Sequence, residues 1–383
     1  MRTQVGIIGA GPAGLLLAHL LQRQGIESAV IENRARDYVE HRVRAGVLEQ
    51  GSVDLLNDSG VGARLQLEGL VHHGIELRFG GQGHRIDMTA LTGGRCITVY
   101  GQQEVVKDLI RARIDGGREI MFEVSDVRVA DIDSSAPKVT FVRDGEKIEL
   151  VCDIIAGCDG FHGVCRPSIP AGVLSTFERT YPFAWLGILA AAPPTHDELI
   201  YAYHQRGFAL YSMRSPSLTR LYLQCAPDED LAGWSDRRIW DELHARLETR
   251  GDWRLVEGEI LLRVVEPMQY GRMFLAGDAA HIVPPTGAKG MNLALADVRV
   301  LAQAATAYFK TGARALLDAY SATCLKRVWR AEHFSWWMTS MLHRFPSDDV
   351  FQQRLQRSQL EYVVGSRPAA ASLAENYVGL PFS

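Results

Sequence analysis

Cysteine is scarce and unpatterned in this chain of 383 residues: Cys96, Cys152, Cys158, Cys165, Cys225 and Cys324 form no C-x-x-C pair and no cluster with histidine. That spacing excludes a disulfide framework and a zinc ribbon, and free thiols in a reducing cytoplasm are expected, with no metal site. Excess charge of either sign is lacking too, with 41 Lys and Arg against 45 Asp and Glu and a formal net charge of −4. Neither nucleic acid nor an anionic membrane surface is therefore an expected partner. No apolar run reaches the ~20 residues of a membrane-spanning helix. The N-terminal run to Leu21 is interrupted by Gly9, Gly11, Pro12 and Gly14, and no small-residue cleavage site follows it cleanly. Internal repeats and low-complexity tracts are absent. A globular, cytoplasmic chain of two or three domains with a large core remains.

The first organised stretch lies at the start. Val5-Gly6-Ile7-Ile8 reads as a buried strand, Gly9-Ala10-Gly11-Pro12-Ala13-Gly14 as a turn opening a helix through Arg23, and Ala29-Val30-Ile31 as the next strand. Gly9 suits the tight turn, Gly11 lets a pyrophosphate approach the backbone, and Gly14 lets the helix pack on the strand. Glu32 ends the second strand, placed to accept hydrogen bonds from a ribose diol. The stretch predicts an ADP-containing ligand without separating FAD from NAD.

Two further strand ends carry acids. Asp153-Ile154-Ile155-Ala156-Gly157 runs into Cys158-Asp159-Gly160, and Met273-Phe274-Leu275-Ala276 runs into Gly277-Asp278. An acid at the carboxyl end of a strand faces the crevice where open α/β sheets place their ligands. After Asp278, two prolines fix a turn, Pro284-Pro285-Thr286-Gly287, in which Gly287 allows close approach. Helical spacing begins at Lys289 or Gly290 (Met291, Leu293, Leu295, Val298, Leu301). A ligand at that helix start would meet unpaired N–H groups and the positive end of the dipole, which suits a group that becomes anionic.

Arg34, Tyr38, Arg42 and Arg44 form a basic segment, read either as a solvated surface helix or as a phosphate contact. From Tyr181 to about Leu223 strands alternate. Leu199 and Tyr201 share one face, as do Leu210, Ser212 and Arg214 on the next strand and Arg220 and Tyr222 on the one after. The opposite face is comparably apolar, so periodicity leaves open which face is a pocket. If the Arg214 face is buried, its charge needs an anionic partner, and a carboxylate ligand would supply one. The helical sequence from Asp297 to His343 breaks near Gly312. Its cluster Phe334-Ser335-Trp336-Trp337-Met338 reads as core or subunit contact.

One dinucleotide fingerprint followed by two strand ends bearing Asp159 and Asp278 resembles the group A flavoprotein aromatic hydroxylases, and the resemblance covers essentially the whole chain. It rests on Arg44 to Gly51, Ile155 to Gly163, Phe274 to Gly290, Phe334 to Met338 and Ala374 to Pro381. It implies an α/β fold of mixed α+β character. A Rossmann-like FAD-binding domain (1–175, completed by 268–300) would carry a β-sheet substrate domain (176–267) and a C-terminal helical region (301–383). The cofactor implied is FAD, with NADPH or NADH as a transient co-substrate and O2 as oxidant. A flavin hydroperoxide would hydroxylate a small aromatic acid, such as 4-hydroxybenzoate to 3,4-dihydroxybenzoate. Another substituted benzoate, or a flavin-binding regulator without turnover, are the alternatives, and a homodimer is implied.

Residue by residue, the resemblance makes Arg214 the partner of the substrate carboxylate, helped by Ser212 and Tyr222. Tyr201 would meet the phenolic oxygen and pass its proton to Tyr377, with His72 ending the relay at the surface. Pro285 and Thr286 would lie beside the flavin and the reacting ring. Lys289 and Asn292, with Gly287 and Gly290, would hold the helix start against the isoalloxazine. Gly9, Gly11, Gly14, Glu32, Arg42, Arg44, Gln102, Asp159 and Asp278 would hold FAD. Arg34, Tyr38, Arg42, Arg44 and His162 would meet the nicotinamide coenzyme, and Arg220 would influence flavin movement. Two departures bear on the coenzyme. Glu259 to Arg263 runs directly into Val264 as though about eight residues of a coenzyme-binding segment were missing, and Arg263 is the candidate substitute. Asn33-Arg34 also replaces the pair seen in NADPH enzymes, while Tyr38 and Arg42 favour a 2′-phosphate, so NADPH is expected with NADH left open.

Overall fold

A computed structural model describes residues 1–382 apart from 43–45, 192, 216, 231–232, 248–253, 259–260 and 267. Arg44 and the Arg263 side chain therefore lie outside the described residues. Five parallel strands form the centre of the largest sheet, in the order Met273–Leu275, Glu146–Gly157, Arg2–Ile8, Ser28–Ile31 and Ile120–Met121. Ile7, Val30, Ile155 and Leu275 are fully or almost fully buried, as strands covered on both faces require. The helices Pro12–Arg23 and Gly290–Thr311 pack on each other beside this sheet. A hairpin turns at Asp144-Gly145, where both residues take positive φ (54° and 80°), the conformation a two-residue turn needs there.

A second sheet runs Arg254–Gly258, Ala184–Ala190, Leu218–Cys225, Ala209–Ser215, Leu199–Ala202, Gly74–Phe79, Gln82–Asp87. Its last two strands come from the part of the chain expected to lie wholly in the first domain. Gly74–Phe79 pairs in parallel with Leu199–Ala202, so the second region borrows an N-terminal hairpin. The two faces of this sheet are now distinguishable. Ile188, Ile200, Tyr211 and Leu221 pack under the helix Asp236–Leu247 through Ile239, Leu243 and Leu247. Leu199, Tyr201 and Leu210 look the other way, into a core shared with Phe334, Met338, Leu373 and Tyr377. The face bearing Tyr201 and Arg214 is thus turned inward.

The C-terminal region is helical. Gly312, at φ 73°, ends Gly290–Thr311 in the left-handed conformation that glycine adopts without a steric penalty, and Tyr320–Leu342 follows. Phe334 and Met338 are core residues while Trp336 points outward, so the aromatic cluster divides between core and surface. Val350–Gly365 and Arg367–Tyr377 complete the chain.

Candidate functional site

The three fingerprint glycines are constrained in three different ways. Gly9 has φ 106°, and a Cβ there would lie 2.2 Å from the Cys158 carbonyl oxygen. A Cβ on Gly14 would lie 2.0 Å from the Gly9 carbonyl, so helix and strand touch only because it is absent. Gly11 faces open space, with nothing within 4 Å of such an atom, at the uncapped start of Pro12–Arg23. That is a cradle for a phosphate group. Glu32 is fixed by the backbone N–H groups of Ala10 (2.8 Å) and Arg34 (2.9 Å), which bond one oxygen each. These features fit the ADP half of FAD.

Asp159 serves its own turn: it accepts from the Cys165 N–H at 2.9 Å, and burial raises its carboxyl above the usual range. Its Oδ1 is buried with no hydrogen-bond partner among the described residues. Asp278 is partly exposed at the strand end, in a 3₁₀ turn that begins at Gly277 with φ 63°. The turn is tied down by a residue the sequence reading did not single out. Asp297 Oδ2 accepts from the Gly277 N–H at 3.0 Å and meets His281 Nε2 at 2.7 Å, all buried. The carboxylate more than offsets the burial of His281 and raises its pKa. The helical step from Leu293 to Asp297 put an acid on the buried stripe of a helix, and that was the available signal.

The next turn holds a correction. Gly287 is needed, but for a different neighbour: a Cβ there would fall 2.5 Å from Ser335 Oγ and 3.3 Å from Phe334, so its close approach is to the helix Tyr320–Leu342. Pro285 is exposed beside it, whereas Thr286 is wholly buried and bonds Thr339 Oγ1 at 2.8 Å. Ala288 takes φ 54°, and the helix opens at Gly290 without a side-chain cap, leaving its first N–H groups available to an anion. Gly290 faces open space. Asn292 spends its side chain on the 47–49 strand: Oδ1 accepts from the Glu49 N–H (2.8 Å), and Nδ2 donates to the carbonyls of Val47 (3.0 Å) and Ala288 (2.9 Å). Lys289 is likewise internal, donating to Glu49 Oε1 at 2.6 Å and to the carbonyls of Asn376 and Tyr377, and burial lowers its pKa. Both residues position the helix start through protein contacts.

On the inward face of the second sheet, register sets Tyr201 opposite Leu210, Leu210 opposite Tyr222, and Ser212 opposite Arg220. Tyr201 is 1% exposed; its hydroxyl donates to the Thr286 carbonyl at 3.1 Å and lies 2.5 Å from the hydroxyl of Tyr377. Burial pushes both phenols well above their ordinary pKa. Arg214 approaches Gly46, where a Cβ would meet its Nη1 at 2.9 Å. Its Nε and Nη1 are buried without a hydrogen-bond partner among the described residues, and burial lowers its pKa to about 10. A buried guanidinium in that condition is a receptor for an anion. Ser212 is buried alongside, and Tyr222 carries Arg220 over its ring at 5.0 Å.

His72 does not sit where the resemblance implied. It is 1% exposed on the strand Leu70–His72, its Nε2 lies 3.3 Å from Met213 Sδ, and burial lowers its pKa to about 4. A neutral, enclosed imidazole is not a surface outlet. Arg34, Tyr38, Arg42 and His162, the described coenzyme candidates, lie at the surface. Arg34 and Arg42 lie over the Tyr38 ring at 5.3 and 5.6 Å, His162 is exposed beside Phe161, and Gln102 opens the helix Gln102–Asp115. No group of metal-binding side chains occurs among the described residues, and no helix is long and apolar enough to cross a membrane.

A family model described as an FAD binding domain matches residues 2–335. A p-hydroxybenzoate hydroxylase from Acinetobacter baylyi is 50% identical over 390 aligned positions, covering 100% of this chain and 96% of that protein. A 3-amino-4-hydroxybenzoate 2-monooxygenase from Streptomyces cremeus is 28% identical, covering 78% and 77%. The crystal structure of p-nitrophenol 4-monooxygenase from Pseudomonas putida superposes with TM-score 0.85 over 99% of both chains at 19% identity, a likeness of fold. With a dinucleotide cradle, an inward Arg–Tyr sheet face and these relatives, the chain belongs to the group A flavoprotein aromatic hydroxylases, FAD-dependent enzymes that use NAD(P)H.

Proposed function

We propose that this enzyme hydroxylates 4-hydroxybenzoate to 3,4-dihydroxybenzoate. The observation that carries the reading is the pairing, on one buried sheet face, of a guanidinium whose Nε and Nη1 have no hydrogen-bond partner among the described residues (Arg214) with a phenol pair (Tyr201 and Tyr377). A para-hydroxy acid presents a carboxylate to the first and a phenolic oxygen to the second. The 50% identical relative that is a p-hydroxybenzoate hydroxylase supports the same substrate.

Bound FAD supplies the oxygen-transferring chemistry, with electrons from NAD(P)H. The protein's part is to bind, orient and deprotonate. Arg214, with Ser212 and Tyr222 beside it, fixes the carboxylate and hence the ring. Without a ligand, the Tyr201 hydroxyl donates to the Thr286 carbonyl, so Tyr377 donates to Tyr201. A bound phenol gives its proton to the Tyr201 oxygen as Tyr201 passes its own to Tyr377 and Tyr377 gives up its own, the proton leaving in the end to solvent water. Because burial raises both tyrosine pKa values, each ends protonated, and Tyr201 donates to the resulting phenolate, whose ortho carbon is the stronger nucleophile. His72, buried and with its pKa lowered to about 4, is not the base that keeps the proton. The open helix start at Gly290 favours negative charge on the flavin, and the enclosed site excludes water. The Arg34–Tyr38–Arg42 stack supports NADPH as the coenzyme. Exposed Val350, Phe351, Leu355 and Tyr362 on one helix support a homodimer, and the free cysteines support a cytoplasmic setting.

Titrating the FAD-loaded protein with 4-hydroxybenzoate near pH 7.5 while recording phenolate absorbance tests the reading. Ionisation of the bound phenol below its solution pKa in wild type, lost in Tyr201→Phe, is expected. Tight binding without phenolate in wild type would refute the relay, and binding only of 3-hydroxy or 4-amino benzoates would move the substrate.

A further inference from the structure

Behind the flavin-facing end of the helix Gly290–Thr311, between it and Tyr320–Leu342, lies a cleft of about 280 Å3 roofed by the C-terminal segment 379–382. Five cationic side chains line it: Lys289, Arg299, Lys326, Arg327 and Arg330. Its two carboxylates are already engaged. Glu49 holds Lys289 at 2.6 Å and Arg327 at 3.8 Å, and Asp297 holds His281 at 2.7 Å. Arg299, Lys326 and Arg330 have no carboxylate within salt-bridge distance among the described residues. The arginines deepest in the cleft are pre-set. Arg299 and Arg327 lie over the Phe382 ring at 4.7 and 4.8 Å, and Arg327 also donates to the carbonyls of Leu380 and Pro381 at 3.0 and 2.9 Å. Lys326 and Arg330 are one helical turn apart, on the same face at the mouth.

Like charges repel: burial lowers the pKa of Arg327, Glu49 and Asp297 oppose the fall, and Arg299 and Arg95 add to it. A bound anion would relieve that repulsion. Leu293, Ala296, Val300, Ala331, Phe334 and Phe382 add apolar wall, with Asn292, Thr323 and Asn376 as neutral polar groups. The volume is near the ~300 Å3 lower end of small-molecule sites, which combine apolar walls with a few fixed polar groups. We propose that this cleft is a second binding site, for a small organic dianion with two carboxylates on an apolar body. Guanidinium pairs suit carboxylates, and the walls suit a hydrocarbon core. The site is independent of the hydroxylase reading, since none of its free cations contacts the Arg214 face.

The test is calorimetric titration of the FAD-loaded protein, saturated with 4-hydroxybenzoate and at constant ionic strength, with isophthalate as the probe. One equivalent should bind with a sub-millimolar Kd. The K326A/R330A double variant, both positions being exposed, should bind at least tenfold more weakly, with turnover in the absence of isophthalate unchanged. Inorganic phosphate, which lacks the apolar body, should bind at least tenfold more weakly than isophthalate. Absence of saturable heat, an unchanged Kd in the double variant, or equal phosphate binding would overturn the proposal. So would a signal seen only without 4-hydroxybenzoate, which would assign isophthalate to the Arg214 site. A protein that binds isophthalate as expected but turns over no aromatic acid would sink the hydroxylase reading alone.

Discussion

Arg214→Met separates binding from folding more sharply than any other substitution in this protein. The Nε and Nη1 of the guanidinium are buried and bond nothing among the described residues, so the ligand-free protein carries a cation that is only partly satisfied. Methionine keeps much of the apolar stem and removes the charge. Removing one partner of a buried, hydrogen-bonded ion pair costs about 3–5 kcal/mol, and every 1.4 kcal/mol is tenfold in affinity. The dissociation constant for 4-hydroxybenzoate should therefore rise on the order of 10²- to 10³-fold. The ligand-free variant should be no less stable than wild type, because an unpaired buried charge has gone. Flavin absorbance perturbation gives the affinity, thermal unfolding of the ligand-free holoprotein gives the stability, and 4-hydroxybenzamide, which lacks the charge, is the control. Wild type should prefer the acid strongly and the variant should prefer neither. An affinity for the acid within threefold of wild type, or a drop in ligand-free Tm as large as the binding loss, would refute the assignment.

Three other outcomes follow from the geometry. Tyr201→Phe removes the hydroxyl that links substrate to Tyr377 and should lower hydroxylation ~10²- to 10⁴-fold, the range of general acid–base effects, with substrate affinity changed only a few-fold; turnover within twofold of wild type removes the relay. Asp297→Asn breaks the buried pair with His281 behind the Gly277-Asp278 turn, so FAD should dissociate more readily and the holoprotein Tm should fall; unchanged FAD affinity would mean the pair serves the core alone. Burial depresses the folded pKa of His72 to about 4 and of His343 to about 3. Such groups bind protons in the unfolded chain first, so stability is full above the unfolded value of ~6.5 and is lost as pH falls toward the folded values. Between pH 6 and 4.5 each should remove up to about 1.4 kcal/mol per pH unit, seen in urea unfolding, and His343→Gln should flatten the slope; an equally steep slope in that variant would contradict the assignment.

What was readable in the chain followed from local rules. Gly9, Gly11, Gly14 and Glu32 announced their geometry because a βαβ unit is one local object, and the break at Gly312 was legible for the same reason. The direction of the Arg214 face was not, since both faces are apolar and only the packing of Asp236–Leu247 against one of them decides. His72 was misplaced because burial depends on which strands cover it. The pairing of the hairpin 74–87 with the second sheet was not legible, because a parallel pairing between distant strands leaves no trace in either. The last two helices fall in the C-terminal region that the resemblance made helical, and the sequence carried local signals for both, a capping box at Asp349 and Gln352 and a proline in the first turn of Arg367–Tyr377.

The most direct test of the central claim is coenzyme oxidation by the purified FAD-loaded protein, with NADPH or NADH, with and without 4-hydroxybenzoate, separating 3,4-dihydroxybenzoate from H2O2. The account predicts that the acid stimulates oxidation many-fold, that NADPH is the better donor, and that nearly one dihydroxybenzoate forms per coenzyme consumed. Stimulation that yields mainly H2O2, or none with either coenzyme, would contradict it.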